Sequence, residues 1–207
     1  MMGGGILTIT VGVLMSLNVN DEKPGRESGK TSTADHRRST FERFIHRVQS
    51  PALRIVAKHW HEARGTKRMP SWMDLQSYDS PPNSKLLWGL NYDLATGQFA
   101  WRFSGDRFQK WVGENYRDAR IYDRHPDSVS AESQQLLTRI VTTGQAARSS
   151  GPLFTVGEFV VTGERIALPM SEDGETGDGI LGASDYWPPP LLGPIKRIHE
   201  NMEWYDI

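Results

Sequence analysis

The sequence predicts an α+β fold, an antiparallel sheet with helices packed against it, and three observations predict it. An amphipathic helix near Ser130 is followed by three strand-like segments and no helix between them. A hairpin of two alternating strands lies upstream, between Leu86 and Ser104. Ahead of both, residues 39–66 carry helical periodicity. Strands grouped in runs, rather than alternating one by one with helices, define that class.

Each element has a local reason. Ser39-x-x-Glu42 is a capping box, and Phe41, Phe44, Ile45 and Val48 supply one apolar face. Ser50-Pro51 restarts the helix with a cap and a proline at its first position. Leu53, Val56, Ala57 and Trp60 continue the period until Gly65, before the breaker Met69-Pro70. Residues 71–85 read as a loop. Trp88, Leu90 and Tyr92 alternate on one strand, Phe99, Trp101 and Phe103 on the next, with Ala95-Thr96-Gly97-Gln98 as the hairpin link. Residues 106–127 mix aromatics with charges and suit short helices over a sheet. Ser130 caps the long helix, Leu136, Leu137, Ile140 and Val141 give its apolar face, and Gly144 stops it. Strands follow over Leu153 to Val156, Glu158 to Met170 and Gly179 to Tyr186, ended by Trp187-Pro188-Pro189-Pro190. Beyond them Ile195, Ile198, Met202 and Tyr205 share one face of an expected final helix.

The 207-residue chain fits one domain with tails. Lys and Arg number 24 against 25 Asp and Glu, so no nucleic-acid surface is expected. Cysteine is absent, which excludes a disulfide framework, a thiolate metal site and a thiol nucleophile, and is compatible with the cytoplasm, the expected location. Gly3 to Val19 is uncharged and largely apolar, yet it has no basic flank and includes Thr8, Thr10, Ser16 and Asn18. It fits neither a membrane span nor a signal peptide well. A start at Met15 or a loosely ordered tail explains it, and no membrane partner is expected. Asn20 to Thr40 holds nothing apolar larger than Ala34 and reads as a disordered tail.

Four short motifs follow one another along the chain: Arg68-Met69-Pro70, Phe99-Ala100-Trp101-Arg102-Phe103-Ser104-Gly105, Thr143-Gly144, and Glu164-Arg165-Ile166-Ala167-Leu168-Pro169 running to Asp173-Gly174. In this order they resemble a bacterial PAS subgroup. The resemblance covers Leu53 to Tyr186. After Gly105 the chain departs from the subgroup with Asp106-Arg107-Phe108-Gln109-Lys110-Trp111, so a relative's ligand does not carry over. The resemblance implies a five-stranded antiparallel sheet with helices on one face, used for sensing or pairing and not for catalysis. The division expected is 1–38 as apolar start and tail, 39–66 as flanking helices, 67–187 as the PAS domain and 188–207 as a C-terminal helix.

Several motifs compete with simpler readings. Gly25 to Thr31 has three residues between its glycines where a phosphate loop needs four. Gly177-Asp178-Gly179-Ile180-Leu181-Gly182 spells a dinucleotide fingerprint but enters a strand, where that site needs a helix. On a helix His59 and His61 diverge, and they read as surface histidines flanking a buried Trp60. No histidine lies between Gln134 and Val141 to ligate haem axially, leaving only His125 between the second strand and that helix. A cysteinyl-flavin adduct is excluded, and the cofactor stays unknown. The aromatics Trp88, Trp101, Phe103, Phe108 and Trp111 read as core or, alternatively, as pocket lining. In the second case Trp88, Trp101, Arg102, Phe103, Trp111 and Arg139 are the ligand-binding candidates. Phe41, Phe44, Ile45, Ile195, Ile198 and Met202 are the candidate dimer or partner surface. The expected function is a stand-alone sensory or regulatory domain, homodimeric, acting on a separate signalling protein. The alternatives are a ligand-free interaction module and, third, a small α+β enzyme.

Overall fold

In the computed structural model the described residues are 33–76, 83–106, 131–156, 159–187, 195–197 and 202–207, all within one compact unit, Ser32–Ile207. The expectations for residues 1–32, Phe108, Trp111, His125 and Ile198 lie outside them. Helices α1 (Thr33–Arg47), α2 (Pro51–Arg64) and α3 (Trp72–Gln76) come first. A 3₁₀ turn (Ser84–Leu86) leads into strands β1 (Leu87–Asp93) and β2 (Gln98–Ser104). Then follow helix α4 (Ala131–Thr143) and strands β3 (Ala146–Val156), β4 (Phe159–Met170), β5 (Gly179–Trp187), β6 (Ile195–Arg197) and β7 (Met202–Tyr205). The fold is α+β.

The strands form one antiparallel sheet ordered β2-β1-β5-β4-β3-β6, with β7 also paired to β3. Two cores lie on its opposite faces, because successive side chains of a strand alternate. Ile166, Leu168, Met170, Leu181 and Ala183 pack with Phe44, Leu53, Trp60 and Trp72 of α1, α2 and α3. Ala167 and Ile180 pack instead with Trp88, Leu90, Ile140 and Val141, the last two from α4. Helices therefore cover both faces, which corrects the expected one-sided arrangement. The sheet also exceeds five strands.

Local signals set several boundaries. Ser50 caps α2, its Oγ accepting from Leu53 N, and Pro51 stands in the first turn. Gly97 closes the β1–β2 hairpin at φ +67°, and Asp93 Oδ1 accepts the amides of Ala95 and Thr96. Gly144, at φ +66°, ends α4.

The C-terminal helix is overturned. Residues 195–197 and 202–205 are strands that pair with β3 in one shared register, Phe154 opposite Arg197 and Ala146 opposite Tyr205. Pairing along the edge of β3 decides the outcome, since the backbone groups of Met202-Glu203-Trp204-Tyr205 find partners there and aromatic residues suit a pleated surface. The expected stripe is split accordingly. Met202 packs with the α4 core, whereas Tyr205 meets Phe44 edge-on on the other face, ring centroids 5.0 Å apart.

Candidate functional site

On the α4 face the aromatic candidates come together. Trp88 of β1 and Trp101 of β2 meet edge to face, with centroids 6.4 Å apart and planes at 73°. The Trp88 indole N–H donates to Ser184 Oγ at 3.0 Å, which satisfies its one polar atom in a buried setting. Its ring lies over Gly182, where a Cβ would stand 2.0 Å from Trp88 Cε2. Phe99 is fully buried beside Tyr92, at 4.6 Å, while Trp101 is half-buried. Arg139 is turned to the C-terminal strand, its guanidinium 3.9 Å from the Trp204 ring centre and its Nε donating to Gln145 Oε1 at 3.1 Å. Gln145 Nε2 in turn donates to Asp206 Oδ1 at 2.8 Å.

Two candidates lie on the other face. β2 carries one extra residue between the Gly89–Phe103 and Leu90–Trp101 pairs, a β-bulge at Arg102. Phe103 is thereby turned away from Phe99 and Trp101, correcting the expectation that the three share a face. It meets Trp72 of α3 edge-on at 5.8 Å and fills the space over Gly89. Arg102 stacks over the same Trp72 at 4.9 Å and donates to Asn91 Oδ1 at 3.3 Å. The candidate ligand residues thus divide into Trp88, Trp101 and Arg139 on one side and Arg102 and Phe103 on the other. Trp111 lies outside the described residues.

Three of the four motifs quoted above meet at one corner of the sheet. Arg68 Nη2 donates to the Thr143 carbonyl at 2.5 Å, placing a cation at the C-terminus of α4. Met69 N donates to Gly174 O at 3.2 Å, and Ser171 N donates to Pro70 O at 3.0 Å. Asp173 accepts the amides of Glu175 and Thr176 and the Ser171 hydroxyl. Those hydrogen bonds, the Thr176 amide first, hold its carboxyl well below the usual carboxylate range. Gly177 passes against the Val141 carbonyl, where a Cβ would sit at 2.2 Å. The glycine run Gly177 to Gly182 accordingly feeds β5 and provides no helix N-terminus for a pyrophosphate.

An open cleft of about 500 Å³ lies beside the α1–α2 turn, lined by Gln49, Ser50, Ser150, Thr162, Glu164 and Asp185 among others. Its wall is a buried ion network that the sequence reading missed. Glu164, 5 % exposed, accepts the Gln49 amide at 3.0 Å, the Ser50 amide at 2.6 Å and Arg148 Nε at 2.6 Å. Arg148, 3 % exposed, also pairs with Glu203 at 2.7 Å. Tyr205 donates its hydroxyl to Glu203, and burial, assisted by that carboxylate, pushes the phenol up to about 12. Ser50 Oγ donates to Asp185 Oδ2 at 2.8 Å. Because these carboxylates are engaged by main-chain, hydroxyl and guanidinium donors, the network positions the α1–α2 turn rather than offering a free acid or base. Only the Glu164-Arg165 pair of the fourth motif hinted at it; Arg148 sits in a small-residue stretch with no apolar alternation.

The proposed partner surface is corrected. Phe41 and Phe44 are 6 % and 0 % exposed and belong to the chain's own core, Phe41 stacked on His61 at 3.8 Å. Ile45 is half-buried against that core, and Met202 is half-buried in the ladder with Ser149. Ile195 forms part of β6, and Ile198 lies outside the described residues. His59 is buried instead of facing solvent. No cluster of three His, Cys, Asp or Glu side chains suited to a metal occurs among the described residues. Nor is any helix among them long and apolar enough to cross a membrane. A scan against protein-family models, a search of curated proteins and a search of solved structures each returned no match.

Proposed function

We propose that this chain is a PAS-like regulatory domain that binds a small apolar or planar molecule on its α4 face and hands the signal to a separate protein in the cytoplasm. The observation that carries the reading is the meeting of Arg68-Met69-Pro70, Thr143-Gly144 and Ser171 to Gly174 at one corner. Residues far apart in sequence, each in a motif that resembles one family, there hold the end of α4 against the sheet. The ligand surface is Trp101 beside Trp88. A ligand that favours one placement of α4 over another shifts the equilibrium between them, and Arg139 with Trp204 and Gln145 with Asp206 relay that placement to β7. A second copy or the signalling partner reads the change.

Native mass spectrometry and an absorption spectrum of the purified chain test the ligand, followed by thermal shifts across a metabolite panel for wild type and Trp101→Ala. A retained mass, or a shift that Trp101→Ala removes, supports the reading. No retained mass and no shift sinks it. The second reading is an interaction module without ligand, favoured by the Trp88 ring, which itself occupies the space above Gly182.

A further inference from the structure

Arg64 ends α2, yet it turns inward and is only 7 % exposed. Its Nε and Nη1 are buried without a hydrogen-bond partner. It lies over the face of Trp60, whose ring centre is 5.5 Å from the guanidinium carbon. Arg37 of α1 adds a second positive charge: burial first, and then Arg37, lower the pKa of Arg64 from its ordinary value. The stacked rings of Phe41 and His61 join α1 to α2. No ion pair among the described residues includes Arg64.

A buried guanidinium with idle donors is costly, and arginine does not escape by losing its proton near neutrality. A like charge nearby raises the cost further. An oxyanion reverses both terms, since it accepts the idle donors and offsets two positive charges at once. We propose that Arg64 is the core of an oxyanion-binding site at the end of α2, with the charge of Arg37 in support, taking the carboxylate or phosphate group of a small molecule. Trp60 supplies an aromatic wall behind it. This site is separate from the Trp88–Trp101 surface and stands or falls independently of any ligand there.

The test is thermal unfolding of the full chain at constant ionic strength, with inorganic phosphate or acetate replacing chloride. Wild type is expected to gain about 3 °C or more as the effective anion approaches saturation, following binding linkage. Phosphate and acetate, run separately, tell the two chemistries apart. Arg64→Met is expected to abolish the gain and Arg37→Ala to reduce it. Should Arg64→Met fail to fold, the Arg64 Nε–H resonance of the wild type, moved by the same anion, gives the equivalent reading. The proposal is overturned if neither anion raises the midpoint or moves that resonance, or if the gain persists in Arg64→Met.

Discussion

Replacing Glu164 with alanine should be among the most damaging single changes in the chain. The carboxylate holds the Gln49 and Ser50 amides and Arg148 Nε, all within 3.0 Å. Its loss strands two main-chain donors at the α1–α2 turn, each costing about 1 kcal/mol or more when left unpaired. It also deprives a guanidinium that is 3 % exposed of its closest partner, leaving only the more open Glu203. Breaking a buried pair from one side costs about 3–5 kcal/mol, and that range already includes much of the donor loss. For a domain of this size the midpoint should fall by roughly 10 °C. Urea unfolding followed by tryptophan fluorescence measures the loss, and Arg148→Met in the Glu164→Ala background should recover part of it by removing the stranded charge. A loss below about 1 kcal/mol for Glu164→Ala, with a fold unchanged by circular dichroism, would refute the assignment of this network as the anchor of the turn.

Two further outcomes follow from the same geometry. Gly182→Ala drives a methyl to 2.0 Å from the Trp88 ring and should cost about 1–3 kcal/mol in urea unfolding, with Trp88→Phe relieving part of the penalty as a second change. Tyr205 ionises near 12 in the fold but near 10 in the unfolded chain, so its contribution is fully present below about pH 10 and is lost as pH rises towards 12. Stability measured against pH in that window should fall, and Tyr205→Phe should flatten the fall; an unchanged slope would contradict the buried phenol.

What was legible in the sequence was local. Ser50-Pro51 sets the start of α2 through its own cap, Gly97 and Asp93 build the hairpin turn, and Gly144 stops α4, each through atoms a few residues apart. What was hidden depends on distant partners. The first half of β3, Ala146 to Pro152, lacks apolar alternation and is a strand because β4 and β7 bond to its two sides. The helical spacing of Ile195, Ile198, Met202 and Tyr205 survives on paper, yet the edge of β3 supplies ladder partners that a terminal helix after Pro190 and Pro194 would lack. A single extra residue at Arg102 moves Phe103 across the sheet, and no periodicity of the strand alone encodes a bulge. Phe103 is parted from Trp101 by that one irregularity, whereas Arg102 would face away from Trp101 in a regular strand as well.

Arg148 joins the two ends of the fold through one side chain. Glu164 on one side of it holds the α1–α2 turn, and Glu203 on the other belongs to β7. The N-terminal helices and the C-terminal strand are therefore not independent handles: loosening β7 exposes Arg148 on one side and weakens the pair that fixes the turn. In the regulatory reading, a shift of α4 reaches β7 through Arg139 and Gln145, and reaches the α1–α2 turn through Arg148. Arg148→Met should then uncouple the two ends, so that amide exchange at Gln49 and Ser50 no longer responds when β7 is perturbed by Trp204→Ala. Continued response in the Arg148→Met background would mean that the ends communicate by another route, most directly through the Phe44–Tyr205 contact.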